Sequence, residues 1–597
     1  MKNAFAIVTL SALLSACAVA PKQQPAQDLS DQPLAAAEAQ HQAAAGGGQD
    51  DAKSDENIPN VAMSSTMMTQ LMQAEMAYKN GDWQGPYLTL MSLAQQTKDP
   101  RLAKRAAEIA LSAKQADDAL VAVRLWRQFS PNSEEASQYY LGLVILSDNL
   151  GEAENILRQR LADATPGARG LVLFQMQQLL VRAKDKEAGL AMIERLVAPY
   201  GNLMEAHIVL AQTALARGAK ADARREAQAA LQMKPDSEIA ILTLAQVSDD
   251  DAQAAQVLKQ FLANNPNARE VRTAYARLLI NGKQFEAARQ EFLVLDKAQP
   301  DNPGILYALG VLSMQMNDNR GAEQYLSRFV DVMDKVPEEE RDASKGVLML
   351  SQIAEDRGDY KAAQDWLDRL DSADSKIQFG ADLRRAQLMA KGGDLPAARK
   401  YLATLKTEDK QEQAQIILVD AQLLRDAGKE QEAYKLMEQA TKRLPENMDL
   451  LYDFALTAER TGKIAVMEKS LRRVIAKTPD NQHAYNALGY SLADRNVRLK
   501  EARQLIEKAL GMAPNDPFIM DSMGWVEYRM GNLGAAEAQL RKAYALRSDP
   551  EIAVHLGEVL WKKGEQEEAR KLWRDAMAKD AKNEALKNTL ARLRVSL

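Results

Sequence analysis

Residues 483–514 read "HAYNALGYSLADRNVRLKEARQLIEKALGMAP", residues 518–546 read "FIMDSMGWVEYRMGNLGAAEAQLRKAYAL", and residues 551–581 read "EIAVHLGEVLWKKGEQEEARKLWRDAMAKDA". Laid over one another, they bring Gly489, Gly524 and Gly557 into one column at intervals of 35 and 33. Ala502, Ala536 and Ala569 form a second column at 34 and 33, and Ala509, Ala543 and Ala576 a third. Pro445, Pro479 and Pro514 stand 34 and 35 apart. Chance does not hold three columns of small residues in register, so the period of about 34 is the first fact about the fold. Leu, Ile, Trp and Tyr fill the three- and four-spaced positions between the columns, which predicts amphipathic helices. No stretch sustains the two-residue alternation of a strand.

Each repeated residue has a physical task. Small residues in mid-helix, such as Gly524 and Ala536, let two backbones of one hairpin approach closely. Gly531 and Gly564 fall where a first helix must end, because glycine enters the left-handed cap conformation without steric cost. Pro479 and Pro514 follow the second helix and stop it. This pattern resembles the tetratricopeptide repeat, a helix–turn–helix unit. Weaker copies run backwards: Gly428 and Gly462 mark turns, Ala288 and Ala322 pair with Gly310, and Pro235, Pro266 and Pro300 close successive units. The earliest copy is "LMQAEMAYKNGDWQGPYLTLMSLAQQTKDP", with Gly81 at its turn and Pro100 at its close. The period predicts about fifteen hairpins between residues 67 and 581, with residues 582–597 as a capping helix over the last open face. The resemblance implies an all-α tetratricopeptide solenoid wound as a right-handed superhelix. The charged join "DVMDKVPEEERDASKG" divides it into an N-terminal array, 63–340, and a C-terminal array, 341–597.

The N-terminus is of another kind. Lys2 precedes an apolar run from Ala4 to Leu14, then small residues and Cys17, the only cysteine in the chain. The run is too short to span a membrane, which takes about 20 apolar residues, and it reads as a secretory signal peptide over residues 1–16. Leu14-Ser15-Ala16-Cys17 looks like the lipobox of bacterial lipoproteins, which implies acyl chains, palmitate among them, on Cys17. In that family Asp after the cysteine holds the protein at the inner membrane. Ala18 stands here, so the resemblance implies the outer membrane, facing the periplasm. Residues 17–62 carry no aromatic side chain and set two lysines against seven acidic groups, the composition of a disordered tether. As a flexible coil it would reach roughly 35–40 Å. Its charge accounts for most of the net −6 of the chain, so the remaining array is near neutral, which argues against a nucleic-acid partner. The basic run "RLAKRAAEIALSAK" reads as one solvated helix face.

Catalytic chemistry has little to stand on. Four histidines, His41, His207, His483 and His555, are scattered through 597 residues, and no HExxH, G-x-S-x-G, P-loop or dinucleotide fingerprint occurs. Glu551, His555 and Glu558 share a helical face and could take a divalent ion, but no second helix offers matching ligands, and a polar helix face is the plainer reading. "SDDD" at 248–251 lacks the glycine and distal glutamate of a calcium loop. The expectation is a non-enzymatic protein without cofactor.

In the tetratricopeptide family the inner surface is lined by the first helix of each unit. The resemblance places on it His483, Asn486 and Tyr490, then Phe518, Asp521, Trp525, Tyr528 and Arg529, then Glu551, Glu558, Trp561 and Lys562. Aromatic residues and Arg are frequent binding hot spots. The alternative for Trp525 and Trp561 is core packing between repeats. The motifs "NALGYSLADR", "DSMGWVEYRMGN" and "HLGEVLWKKG" resemble the long tetratricopeptide outer-membrane lipoproteins of Gram-negative bacteria. Among these is the adaptor of a periplasmic carboxyl-terminal processing protease, which presents peptidoglycan hydrolases. The implied function is therefore a membrane-tethered scaffold for periplasmic proteins. The alternative is a lipoprotein for assembly or export of pili, polysaccharide or outer-membrane proteins.

Overall fold

The computed structural model describes residues 59, 61, 63–146, 150–336, 342–372 and 374–597. Cys17, nearly all of the expected tether, and the centre of the join at 337–341 lie outside the described residues. Among the described residues the architecture is all-helical, with 31 α-helices arranged as fifteen hairpins and one last single helix, Glu584–Leu593. The first hairpin, Ser65–Lys79 and Gln84–Thr97, turns at Gly81, and the chain closes it before Pro100, as the sequence pattern predicts.

Local chemistry sets the hairpin boundaries. In the last four hairpins the first helices begin at Asn or Asp caps: Asn447 accepts from the Leu450 amide, Asn481 from Ala484, Asp516 from Ile519 and Asp549 from Glu551. Pro517 and Pro550 follow two of these caps, where a missing N–H costs nothing. At the other end Gly428, Gly462, Gly531 and Gly564 take φ between +73° and +96°. The next amide then reaches back to close the turn, as Asn532 N–H does to the Glu527 carbonyl at 2.9 Å. Within the hairpins, a Cβ added to Gly489 would lie 2.6 Å from Ile506, and one on Gly524 would lie 2.5 Å from Leu540. A Cβ on Gly557 would collide with Trp573. The glycine column is thus a packing requirement.

The chain divides into two compact units, 1–332 and 333–597. In the first, the basic stretch forms helix Pro100–Ser112, which buries Ala103, Ala106, Ala107, Ile109 and Ala110. Its Arg105 pairs with Glu75 and Lys104 with Glu135, so the charges form the solvated face. The carboxylates at 249–251 stand at a helix end: Asp250 caps helix Asp251–Asn264 after a first helix shortened to Glu238–Gln246.

In the second unit the first helices are Ser344–Asp356, Ser375–Lys391, Lys410–Asp426, Met448–Arg460, Gln482–Asp494, Pro517–Arg529 and Pro550–Lys563. Successive first helices touch at nearly every step, whereas second helices of neighbouring hairpins stay further apart. Each hairpin is therefore a wedge with its narrow edge on the first helix. Stacked wedges curve, and the first helices line the inner side. The final helix, Glu584–Leu593, packs on Pro550–Lys563 as the next first helix would and covers the exposed end of the core.

Candidate functional site

The first helices of the last three hairpins carry all the surface residues expected from the sequence, and burial sorts them into three groups. His483, Phe518, Glu551 and Lys562 are exposed. Asn486, Tyr490, Tyr528, Arg529 and Trp561 are half-buried. Asp521, Trp525 and Glu558 are buried, which corrects the expectation that they face a partner.

The correction has a clear cause. Trp525 is only 4 % exposed because the next hairpin and its own helix cover the ring while the preceding hairpin meets its indole edge. The His555 imidazole stacks on it at 4.3 Å between centroids and 23° between planes, and Tyr528 stacks at 5.1 Å. Its indole N–H donates to Asp494 at 3.3 Å, and the Arg529 guanidinium lies 5.5 Å from the ring centroid. Asp521 accepts from His555 Nδ1–H at 2.9 and 3.0 Å. Glu558, 1 % exposed, accepts Tyr528 O–H at 2.9 Å and two N–H groups of Arg592, at 2.8 and 2.6 Å. A buried carboxylate needs such a fork–fork partner. The last helix thus delivers Arg592 to Glu558, and the three side chains fasten adjacent repeats.

Charge perturbs the titrating groups of this region. Burial opposes the charged form of His555, but the attraction and hydrogen bond of Asp521 outweigh it and raise its pKa. Burial and then Glu558 push the Tyr528 phenol up to about 12. Burial lifts the Tyr490 phenol well above its usual range, and the carboxylates of Asp494, Asp521, Glu551 and Glu459 lift it further. The metal alternative for Glu551, His555 and Glu558 meets a different geometry, since His555 faces Asp521 and Glu558 is engaged by Arg592. Among the described residues no group of three or more His, Cys, Asp or Glu side chains is placed to hold a metal ion. No described helix is long and apolar enough to cross a membrane.

The surface left open is a shallow inner face over three hairpins. Tyr490 lies at its centre, with Asn486 one turn earlier, His483 and Phe518 at one edge, Arg529 and Lys562 at the other, and Glu551 on the next hairpin. The charges of Glu459 and Asp494 also act on Tyr490, and neither residue was anticipated. Asp494 shares the alignment column of Arg529 and Lys562, which was the available sign.

Sequence profiles of the tetratricopeptide repeat match residues 249–303, 452–517 and 522–584. A TPR repeat-containing protein of Pseudomonas aeruginosa is 48 % identical over 135 residues, covering 23 % of this chain and 23 % of that protein. The chloroplastic PsbB mRNA maturation factor Mbb1 of Chlamydomonas reinhardtii is 33 % identical over 129 residues, covering 20 % of this chain and 19 % of its own length. The chain thus spans about a quarter or less of either relative. Among solved structures, a thermophilic TPR protein of Thermus thermophilus is 25 % identical with a TM-score of 0.28, over 30 % of this chain and 100 % of that one. A tetratricopeptide repeat protein from Parabacteroides merdae is 16 % identical with a TM-score of 0.33, over 42 % of this chain and 97 % of that one. The chain is a tetratricopeptide-repeat-containing protein, and repeats of this kind serve protein–protein contacts.

Proposed function

We propose that this chain is a non-catalytic scaffold, anchored through acylated Cys17 to the outer membrane and facing the periplasm, which gathers protein partners on the inner face of its last hairpins. The observation that carries the reading is the division of labour on the first helices. Trp525, Asp521 and Glu558 are used up in joining repeats, whereas Phe518 and Glu551 on the same helices are offered to solvent. Aromatic rings held on rigid helices lose little freedom on binding, which suits them to recognition. Two or more acyl chains, at about 0.8 kcal/mol per buried methylene, hold a protein stably at a bilayer. Tethering there raises the effective concentration of a partner pair held together. A processing protease and the cell-wall hydrolases it cuts are the partners the sequence resemblance suggests. The RNA role in the name of the algal relative is not carried over, because the array is close to neutral.

Two experiments test the two halves of the proposal. Growing cells labelled with palmitate should mark the wild-type chain and leave Cys17→Ser unmarked; equal labelling removes the anchor. Chemical crosslinking in the native envelope, followed by mass spectrometry, should recover soluble periplasmic proteins. Recovery of only membrane-embedded assembly proteins would favour the export reading instead.

A further inference from the structure

The inner face of the last hairpins is unusual in its unpaired charge. Elsewhere in the same unit, carboxylates at hairpin junctions have cationic partners: Asp420 with Arg399, Asp453 with Arg425, Glu468 with Arg498, Glu527 with Arg503 and Glu558 with Arg592. Around Tyr490 the pattern stops. Glu459, Asp494 and Glu551, on three different first helices, have no cationic partner among the described residues, although the charge of each acts on one ring. Three of the cations nearby are committed to other acceptors. His555 serves Asp521, Arg592 serves Glu558, and Arg529 donates to the main-chain carbonyls of Ala493 and Asp494.

Two further features ask for a donor. The hydroxyl of Tyr490 has no hydrogen-bond partner among the described residues. One turn earlier on the same helix face, the buried amide oxygen of Asn486 also lacks a donor. Acceptors without donors, beside carboxylates without cations, are the complement of a group that brings both positive charge and N–H bonds. The aromatic rings fit the same group. The face already seats one of its own arginines on a ring, with Arg547 5.0 Å from the centroid of Phe518. Among the described residues, Tyr490 has no such cation over it.

We infer that the inner face of the last four hairpins recognises a basic segment of its partner, an extended stretch with closely spaced Arg or Lys side chains, seated over Tyr490 between Glu459, Asp494 and Glu551. This rests on the protein-binding reading above and gives that partner a chemistry. A guanidinium stacked on Tyr490 would donate to Asp494 while its charge meets Glu459 and Glu551. Salt should weaken the complex, since the contacts are charged and partly exposed.

The test uses the full mature chain and fluorescein-labelled twelve-residue peptides in fluorescence polarisation. One probe carries four Arg residues spaced by Gly and Ser, a second carries Lys in their place, and a third carries Glu. The basic peptides should bind and the acidic one should not. The triple variant Glu459→Gln, Asp494→Asn, Glu551→Gln should lose about tenfold or more in affinity. A control triple on other exposed carboxylates, Glu507→Gln, Glu567→Gln and Glu584→Gln, should bind as wild type does. Equal losses in both triples would reduce the effect to general attraction and overturn the inference. Envelope crosslinking of the same variants separates this failure from failure of the scaffold reading. Partners captured equally by wild type and the inner-face triple would leave a scaffold whose recognition is not cationic. No partner captured by either chain would sink both readings.

Discussion

Two hairpins of the same chain, Pro517–Leu546 and Glu134–Asp163, reach one shape by different packing. In the first, Gly524 admits Leu540 at a distance no Cβ tolerates, and Gly531 turns the chain at φ +90°. In the second, Gly142 stands in mid-helix with open space where its Cβ would be. Bulk does the filling there, through Tyr140, Leu141, Val144 and Ile145 on one helix and Leu157 and Leu161 on the other. The next hairpin, Arg169–Val197, moves the tight contact to its second helix, where a Cβ on Gly189 would meet the Leu180 carbonyl at 2.6 Å. A helical hairpin fixes how much volume must be filled and leaves open which helix supplies the small residue. That is why the period is sharp near the C-terminus and blurred before it, while the fold continues.

Side-chain deletions give the largest test of that contrast. Trp525→Ala removes a ring enclosed by two neighbouring repeats and should cost about 3–5 kcal/mol, loosening the C-terminal hairpins first. Trp561→Ala, at a half-buried ring 5.6 Å from Trp573, should cost less, about 1–2 kcal/mol. Denaturant melts of the two variants check the order, and a smaller loss for Trp525→Ala would return that ring to the surface.

Next comes the cap. Arg592→Ala leaves the Glu558 carboxylate buried without its partner and should cost about 3 kcal/mol, the low end for a buried pair because Arg592 itself is half exposed. Hydrogen exchange should rise in Pro550–Lys563 well before it rises in Gln482–Asp494. Uniform protection across both helices would show that the last helix does not hold the end shut.

The two glycines themselves should respond in opposite directions. Gly524→Ala overpacks Leu540 and should cost about 1–3 kcal/mol. Gly142→Ala meets no atom and should stabilise its helix by roughly 0.5–1 kcal/mol, since alanine loses less backbone freedom. Like signs in thermal melts would refute the packing contrast.

The smallest effect is a pH dependence. Folding raises the His555 pKa above that of a free imidazole, so its contribution is fully present below about pH 6.5 and fades as pH rises through the folded-state value. The C-terminal hairpins should therefore melt more easily at pH 9 than at pH 6, and His555→Gln should flatten that slope. An unchanged slope in the variant would mean that the pair with Asp521 carries no linkage.

The repeat columns made the hairpin count, the turns and the capping helix legible, because each depends on residues close in sequence. The burial of Trp525 was not legible. Its own neighbours, Glu527 and Arg529, suggest an edge, and the groups that cover it, Asp494 and His555, come from repeats 31 and 30 residues away. Asp521 and Glu558 were misplaced for the same reason, since their partners, His555 and Arg592, each lie 34 residues on. Phe518 and Glu551, near the starts of their helices, fall outside the inter-repeat seam and stayed readable as surface.

The central claim is that partners bind the inner face of the last hairpins. A photocrosslinking amino acid placed at Phe518 in growing cells tests it directly, beside the same group at exposed Lys542 on the second helix of that hairpin. The account predicts a discrete crosslinked protein from position 518 and none from position 542. Capture at 542 alone, or the same product from both positions, would contradict it.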